Sequence, residues 1–333
     1  MQRSFGRSSC AEQLVVQETL DRCTGENVRQ MEEAVNIIFR AYSQAYRHDH
    51  RRGLLLLDVD LTGLPCGKSA EEARKGYLSG YGVRRGREMG RVMASAYDEV
   101  AADRLYPGNL QLHDTLPHLV EALEQTLELD EAKRRRTVLR IDAGGGSMNG
   151  INWLLRRGYH VHCKDFSGKR AAHYALSVRE WVADPRHKGR EVGWAIVKEG
   201  DYARLYDERG GAVEIDIKES KQGLGITKRR KKSFTGQQMV ALLGTPAHNV
   251  VVWAKRWLSE DAPELKRYGV QRMVRDVLSV SSFVELSQSG AIKRVVLNGA
   301  SALGRACAKA LRVLLEAEHV RVILGETCNC SAT

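Results

Sequence analysis

The apolar and polar positions of this chain alternate in recognisable periods, and the sharpest pattern lies at Leu54–Thr62, LLLLDVDLT. Four consecutive leucines followed by apolar residues alternating with aspartates predict a buried strand whose far end carries carboxylates. So apolar a run needs cover on both faces, which suits the centre of a mixed α/β sheet. Asp58 and Asp60 are two residues apart and point to the same side of that strand. Upstream, Val28, Met31, Val35, Ile38, Phe39, Tyr42 and Tyr46 recur at helical spacing behind Thr24, a good N-cap residue. Downstream, Gly63, Pro65 and Gly67 mark a turn, and the stretch to Gly86 reads as a loop rich in glycine, lysine and arginine. Glu88–Tyr97 and Glu99–Leu105 follow as strands of an antiparallel meander.

Leu110, Leu112, Leu116, Leu119, Val120, Leu123 and Leu127 then trace one face of a helix that begins after Pro107-Gly108. A second apolar strand, Thr137–Ile141, again ends in a carboxylate, Asp142, before the turn AGGGS. A helix through Ile151, Leu154 and Leu155 and a strand at Tyr159–Cys163 complete this alternation. Further on, the patterns predict a helix at Ala171–Trp181, a strand at Glu191–Val197, a hairpin within Tyr202–Ile217 and a long helix at Thr235–Leu258. Helices mixed with short strands near 280–286, 293–298 and 320–324 close the chain. The expected organisation is a helical segment at 1–50, a catalytic domain at 51–260 and a small α/β extension at 261–333.

Composition changes this picture mainly through charge. The 333 residues are enough for a sizeable core, and 43% are hydrophobic, as in soluble globular proteins. No apolar run approaches a membrane span, and the polar, basic start does not resemble a signal peptide, so no membrane partner is expected. Seven scattered cysteines, an odd number, point to reduced thiols in a cytosolic setting. A formal net charge of +11 calls for an acidic partner, of which nucleic acid is the commonest.

Paired carboxylates at the end of a buried strand repel each other and lose hydration, so they need a cation, a basic partner or a shared proton. Two strands ending in aspartate, a meander, then alternating helix and strand is the order of a ribonuclease H-like mixed sheet flanked by helices. In that fold the first and fourth strands are neighbours, which would bring Asp60 and Asp142 to one pair of cations. Oxygen-rich sites for Mg²⁺ or Mn²⁺ want several carboxylates, and Glu214 in YDERGGAVEIDIKESKQGLG is the best third acid. On a helical reading Glu214, Lys218 and Lys221 share a face. The run KRRKK at 228–232, with Arg229, Arg230 and Lys231, is expected to track a phosphate backbone near the site.

These residues carry a resemblance. LDVDLTGLPCG, the KGY at 75–77, VLRIDAGGGS, KQGLGITKRRKKSF and AHNVVVWAKRWL at 247–258 resemble bacterial insertion-sequence transposases of the DDE type. The resemblance implies a triad of Asp60 (in Asp60-Leu61-Thr62), Asp142 and Glu214, holding two divalent ions, Mg²⁺ or Mn²⁺. Tyr206, Arg209, Glu214 and Lys221 fill a Tyr–Arg–Glu–Lys signature and would grip DNA ends. The Arg-to-Glu interval is one residue longer than the family pattern, and Asp216 and Glu219 remain as alternatives for the third acid. The implied partners are double-stranded DNA and a second copy of the chain on it, in the cytoplasm at the nucleoid. Many relatives have a longer N-terminal DNA-binding region than the roughly fifty residues before the central strand.

Two other readings compete. A catalytically dead DNA-binding remnant would keep the basic surface without cleavage. DVDLT also fits the nucleophile motif of haloacid-dehalogenase-like phosphatases, with Asp58 as nucleophile and Asp60 as acid or base. Asp142, however, is followed by AGGGSMN with no second acid. VVLNGASALGRA at 295–306 imitates a dinucleotide-binding turn, but too little chain follows for the rest of such a domain, and a plain strand–turn–helix is expected.

Overall fold

The computed structural model describes residues 12–78, 81–142, 147–163, 168–183, 189, 191–193, 197–199, 202–204, 231–316 and 319–325. The chain forms two compact units, Ala34–Ile215 and Met1–Glu33 together with Asp216–Thr333. Among the described residues no helix is long and apolar enough to cross a membrane.

The first unit is built on a mixed sheet. Strand β1 (Leu55–Pro65) is the predicted apolar strand, and β2 (Arg74–Leu78), β3 (Gly82–Ala94) and β4 (Glu99–Pro107) follow it. After helices α3 (Leu112–Leu127) and α4 (Glu131–Arg134) come β5 (Thr137–Ile141), helix α5 (Met148–Arg156) and β6 (His160–Cys163). β3 pairs antiparallel with β1, β2 and β4, whereas β1–β5 and β5–β6 are parallel. The order β4-β3-β1-β5-β6, with β2 as an extra strand on β3, puts the first strand beside the strand that opens the parallel half. This is the mixed, helix-flanked, ribonuclease H-like sheet that the order of elements predicts.

β1 is central because it can be buried on both faces. Leu57 and Val59 are fully buried, each stabilising the fold by about 2 kcal/mol. Helix α3 packs on β3 and β4 through the predicted leucines; Leu116, Leu119 and Leu123 are fully buried. Its first turn is capped by the Asp114 carboxylate, which accepts the Gln111 backbone N–H at 2.9 Å. The preceding helix, α2 (Gly25–Tyr42), starts where Thr24 predicts. The Asn27 N–H donates to Thr24 Oγ1, and Asn27 Oδ1 accepts the Thr24 N–H. Of its predicted stripe Val35 and Phe39 are buried, while Ile38 and Tyr42 are exposed.

Where the observed elements differ from the pattern, the reason is local. The stretch before Gly86 is a strand pair, not a loop: RKGYL and GVRRG show no apolar alternation because both lie largely open to water. β3 stops at Ala94, and Asp98 turns the chain with φ 56°, so Ser95–Tyr97 do not continue the strand. Helix α6 (Gly168–Ala175) ends before Trp181, which lies in β7 (Trp181–Ala183), paired with β8 (Glu191–Gly193). β9 (Val197–Glu199) pairs antiparallel with β10 (Tyr202–Arg204), a ribbon upstream of the hairpin expected within Tyr202–Ile217, whose turn at Gly210-Gly211 lies outside the described residues.

In the second unit α1 (Gln13–Asp21) packs on the long helix α7 (Phe234–Asp261), capped by Ser233. A 3-10 turn at Pro263–Arg267 and helical turns at Val270–Arg272 and Met273–Val277 follow. β11 (Ser282–Leu286), β12 (Ile292–Asn298) and β13 (Arg321–Gly325) form a sheet in that order, and α8 (Ala302–Glu316) joins its two parallel strands. Its core comprises Val252, Leu265, Met273, Leu297 and Ala308 among others. The strand–turn–helix at 295–306 is thus part of a small βαβ unit, as its apolar pattern suggests.

Candidate active site

The site is assembled by strand register. Along the parallel pair β1–β5, Leu57 lies opposite Leu139, Asp58 opposite Arg140 and Val59 opposite Ile141. Asp60 and Asp142 are each the next residue on neighbouring strands, so two carboxylates distant in sequence stand at adjoining strand positions. Asp60 is half-buried and Asp142 exposed. The Asp60 Oδ1 accepts the Leu61 backbone N–H at 2.8 Å, and the Asp142 carbonyl accepts the Cys163 thiol at 3.8 Å from β6.

The register extends the row in the other direction. Asp60 is the partner of Arg91 on β3, and Arg91 is the partner of Asp103 on β4. Arg91 and Asp103 are both fully buried and joined bidentately, Nε to Oδ1 at 2.8 Å and Nη2 to Oδ2 at 2.7 Å. One polar row therefore crosses four strands as Asp142, Asp60, Arg91 and Asp103. Losing either member of the buried pair would strand the other's charge at a cost of about 3–5 kcal/mol. The pair makes a stiff, charged wall beside Asp60. The sequence pattern hides it, since one arginine and one aspartate inside otherwise ordinary strands carry no motif.

Asp58 has a different environment from Asp60. Its side chain is fully buried, and Oδ2 accepts a hydrogen bond from Arg140 Nη2 at 2.6 Å. The same Arg140 nitrogen donates to Ser95 Oγ at 2.7 Å. Asp58 Oδ1 and Arg140 Nε have no hydrogen-bond partner. Asp58 thus ties β1 to β5 one step behind the two strand-end acids. A carboxylate that attacks phosphorus must meet its substrate, and this one is sealed against a neighbouring strand, so the phosphatase reading loses its nucleophile.

The donor set at the strand ends, carboxylate oxygens on a rigid sheet, suits a hard divalent cation such as Mg²⁺ or Mn²⁺. Among the described residues no group of three or more His, Cys, Asp or Glu is placed to hold a metal. The expected third acid, Glu214, lies outside the described residues, as do Asp216, Glu219, Tyr206, Arg209, Lys218, Lys221, Arg229 and Arg230.

Lys231 corrects the expectation of a phosphate-tracking run at its own position. It is buried; its Nζ donates to the Gln17 carbonyl at 3.2 Å and lies 3.8 Å from the Asp21 carboxylate, both on α1. Its backbone N–H donates to Gln237 Oε1 at 2.9 Å. An amine held this way inside its own unit is a packing cation, not a rim contact.

No family model and no curated relative matches the chain. Among solved structures it is similar to a piggyBac transposase synaptic complex with hairpin DNA, at a TM-score of 0.36 and 10% identity, over 73% of this chain and 58% of that one. It is similar to a pre-cleavage Mos1 transpososome at a TM-score of 0.23 and 14% identity, over 53% of this chain and 55% of that one. A Mos1 mariner paired-end complex with Mn gives a TM-score of 0.23 and 12% identity, over 80% and 69%. The chain thus spans little more than half the length of the first two. The likeness is distant and partial.

Proposed function

We propose that this chain is a DDE-type transposase that cleaves and transfers DNA strands, with Asp60 and Asp142 as two of its three metal-binding acids. The observation that carries the reading is the β1–β5 register, which sets at adjoining strand positions the two aspartates that the D-x-T motif and the VLRIDAGGGS segment single out. Support comes also from the net charge of +11, which suits a polyanionic substrate. The reading assigns Glu214 as the third acid, Tyr206, Arg209, Lys218 and Lys221 as contacts to the DNA ends, and a second copy of the chain as partner on the DNA.

Asp60 and Asp142 would hold the divalent ions, which when bound supply an activated oxygen nucleophile and charge stabilisation at phosphorus. The protein's own contribution is positional. β1 and β5 keep the two carboxylates on a sheet that cannot flex easily, because Asp58 and Arg140 lock the strands immediately behind them. The Arg91–Asp103 pair flanks Asp60 with a fixed charge distribution, so little rearrangement is needed when the substrate binds.

The test is a strand-cleavage assay on duplexes taken from the DNA that flanks the coding region. Asp60→Asn and Asp142→Asn are each expected to abolish Mg²⁺- or Mn²⁺-dependent cleavage while duplex binding persists, and chelation of the metal should do the same. Cleavage that survives either substitution, or that needs no divalent ion, removes this reading. Metal-independent binding with no cleavage by the unaltered protein would identify a DNA-binding remnant.

A further inference from the structure

We infer that the curled ribbon formed by β2 and the start of β3 is a docking surface for duplex nucleic acid, separate from the strand-end acids. The inference rests on the proposed action on DNA for the identity of its partner, but on different residues for its argument.

β2 pairs with residues 82–86 of β3, whereas β1 and β4 leave β3 at Gly86 and Arg87. Past that point the ribbon has only itself as a sheet partner. Its base is fitted closely: a methyl group at Gly76 would fall 2.1 Å from the Gly108 carbonyl oxygen, and one at Gly108 2.1 Å from that of Gly86. Leu78 is fully buried and reaches back to Gly86, and Gln111 Nε2 donates to the Tyr77 carbonyl at 3.3 Å. The ribbon is therefore anchored on one face, and its other face is presented to solvent.

That open face is unusual for a monomer's surface. Cross-strand neighbours Tyr77 and Val83 are 63% and 68% exposed, and the next pair is Lys75 opposite Arg85. Like charges directly opposite on paired strands are destabilising, and between Arg74 and Arg85 no acid stands among the described residues to relieve them. Arg85 donates to the Ala73 carbonyl and Arg74 lies near Glu72, but the Lys75 side chain makes no hydrogen bond or ion pair among the described residues; Arg84, opposite Gly76, belongs to the other face. A cross-strand cation pair, Lys75 and Arg85, flanking an exposed tyrosine and valine, matches a surface of alternating phosphate and sugar edge. The charge chooses the partner: an apolar protein surface would leave the cations unpaired, whereas a duplex satisfies both. A two-stranded ribbon also fits a major groove about 12 Å wide.

The experiment measures duplex affinity of the full chain against salt concentration. The Lys75→Ala/Arg85→Ala double variant is expected to lower the slope of log K on log salt by about two units, one per lost phosphate contact. Tyr77→Ala should weaken binding about threefold or more at an unchanged slope, through lost apolar contact. All three positions are exposed; circular dichroism and melting temperature confirm that the variants fold. Wild-type slope and affinity in folded variants would overturn the inference. So would a change in sedimentation without a change in DNA binding, which would make the ribbon an interface between copies. Asp60→Asn, assayed in parallel, separates the two readings. Cleavage surviving that change with the ribbon effects intact removes only the active-site assignment. Loss of cleavage with ribbon variants binding normally removes only the ribbon. A wild-type chain that binds no duplex removes both.

Discussion

Asp58 and Asp60 are two residues apart, face the same side of one strand and have opposite roles. Asp58 is sealed inside the sheet with Arg140 as its counter-ion; Asp60 is half-buried at the position facing Asp142's strand end. The difference is measurable without any knowledge of substrate. Asp58→Asn leaves the Arg140 guanidinium, itself largely buried, without its carboxylate, so it should destabilise the fold by about 3 kcal/mol. Asp60→Asn should change stability little. Thermal or denaturant unfolding of the two variants checks this; a larger loss for Asp60→Asn would mean that the carboxylates had been assigned the wrong way round, and equal losses that their environments do not differ. In sequence only the resemblance, through Asp60-Leu61-Thr62, separated the two, since DVDLT presents both on one face. What separates them is the neighbouring strand, because Arg140 is reached only through an 82-residue excursion.

At the scale of elements, long apolar strands and amphipathic helices were legible, and polar or short ones were not. The β1, β5 and α3 patterns are strong because each buries a continuous apolar face. The β2–β3 ribbon was read as a loop because its residues are charged and its stabilising contacts are backbone and glycine contacts. Trp181 was read into a helix because an aromatic residue at helical spacing carries the same signal in either conformation. Another contact invisible in sequence holds three elements together: Glu124 on α3 accepts hydrogen bonds from Arg157 Nε at 2.7 Å and Tyr159 Oη at 2.8 Å. Burial alone would raise the Glu124 pKa. The Arg157 and Tyr159 hydrogen bonds, with the charges of Arg157 and Arg134, outweigh it and hold the carboxyl below its ordinary value. Its stabilising contribution is therefore present above the ordinary carboxylate range and lost as the pH falls through the depressed folded value. Glu124→Gln should cost about 2 kcal/mol at neutral pH. Unfolding measured over a pH series should show the wild type losing that advantage below about pH 4. A difference that stays constant down to pH 3 would mean that the interaction is not ionic.

At the scale of the molecule, charge and element order were the most informative features of the sequence. A net charge of +11 pointed to a polyanion, and the succession of strands anticipated the sheet order of the first unit. Which cations face the polyanion was not legible. KRRKK drew attention as a run, yet Lys231 spends its charge on α1, while the isolated Lys75 side chain has no partner among the described residues. Charge density along a chain does not report the side from which each cation is covered. Lys231→Ala should therefore weaken the second unit by about 1–2 kcal/mol through its lost hydrogen bond and ion pair. The salt slope of DNA binding should stay unchanged in that variant; a fall of about one unit would restore Lys231 to the phosphate contacts.

The Lys231–Gln17 contact also carries a timetable. Its two residues are 214 positions apart, and α1 has α7 as its packing partner. During synthesis at about 5–20 residues per second, α1 would leave the ribosome some ten to forty seconds before that partner exists. The intervening sheet has the time to close first. A nascent chain halted before α7 has emerged should accordingly display a protease-resistant sheet of β1 to β6 with a cleavable α1, and α1 should gain protection only once α7 has emerged.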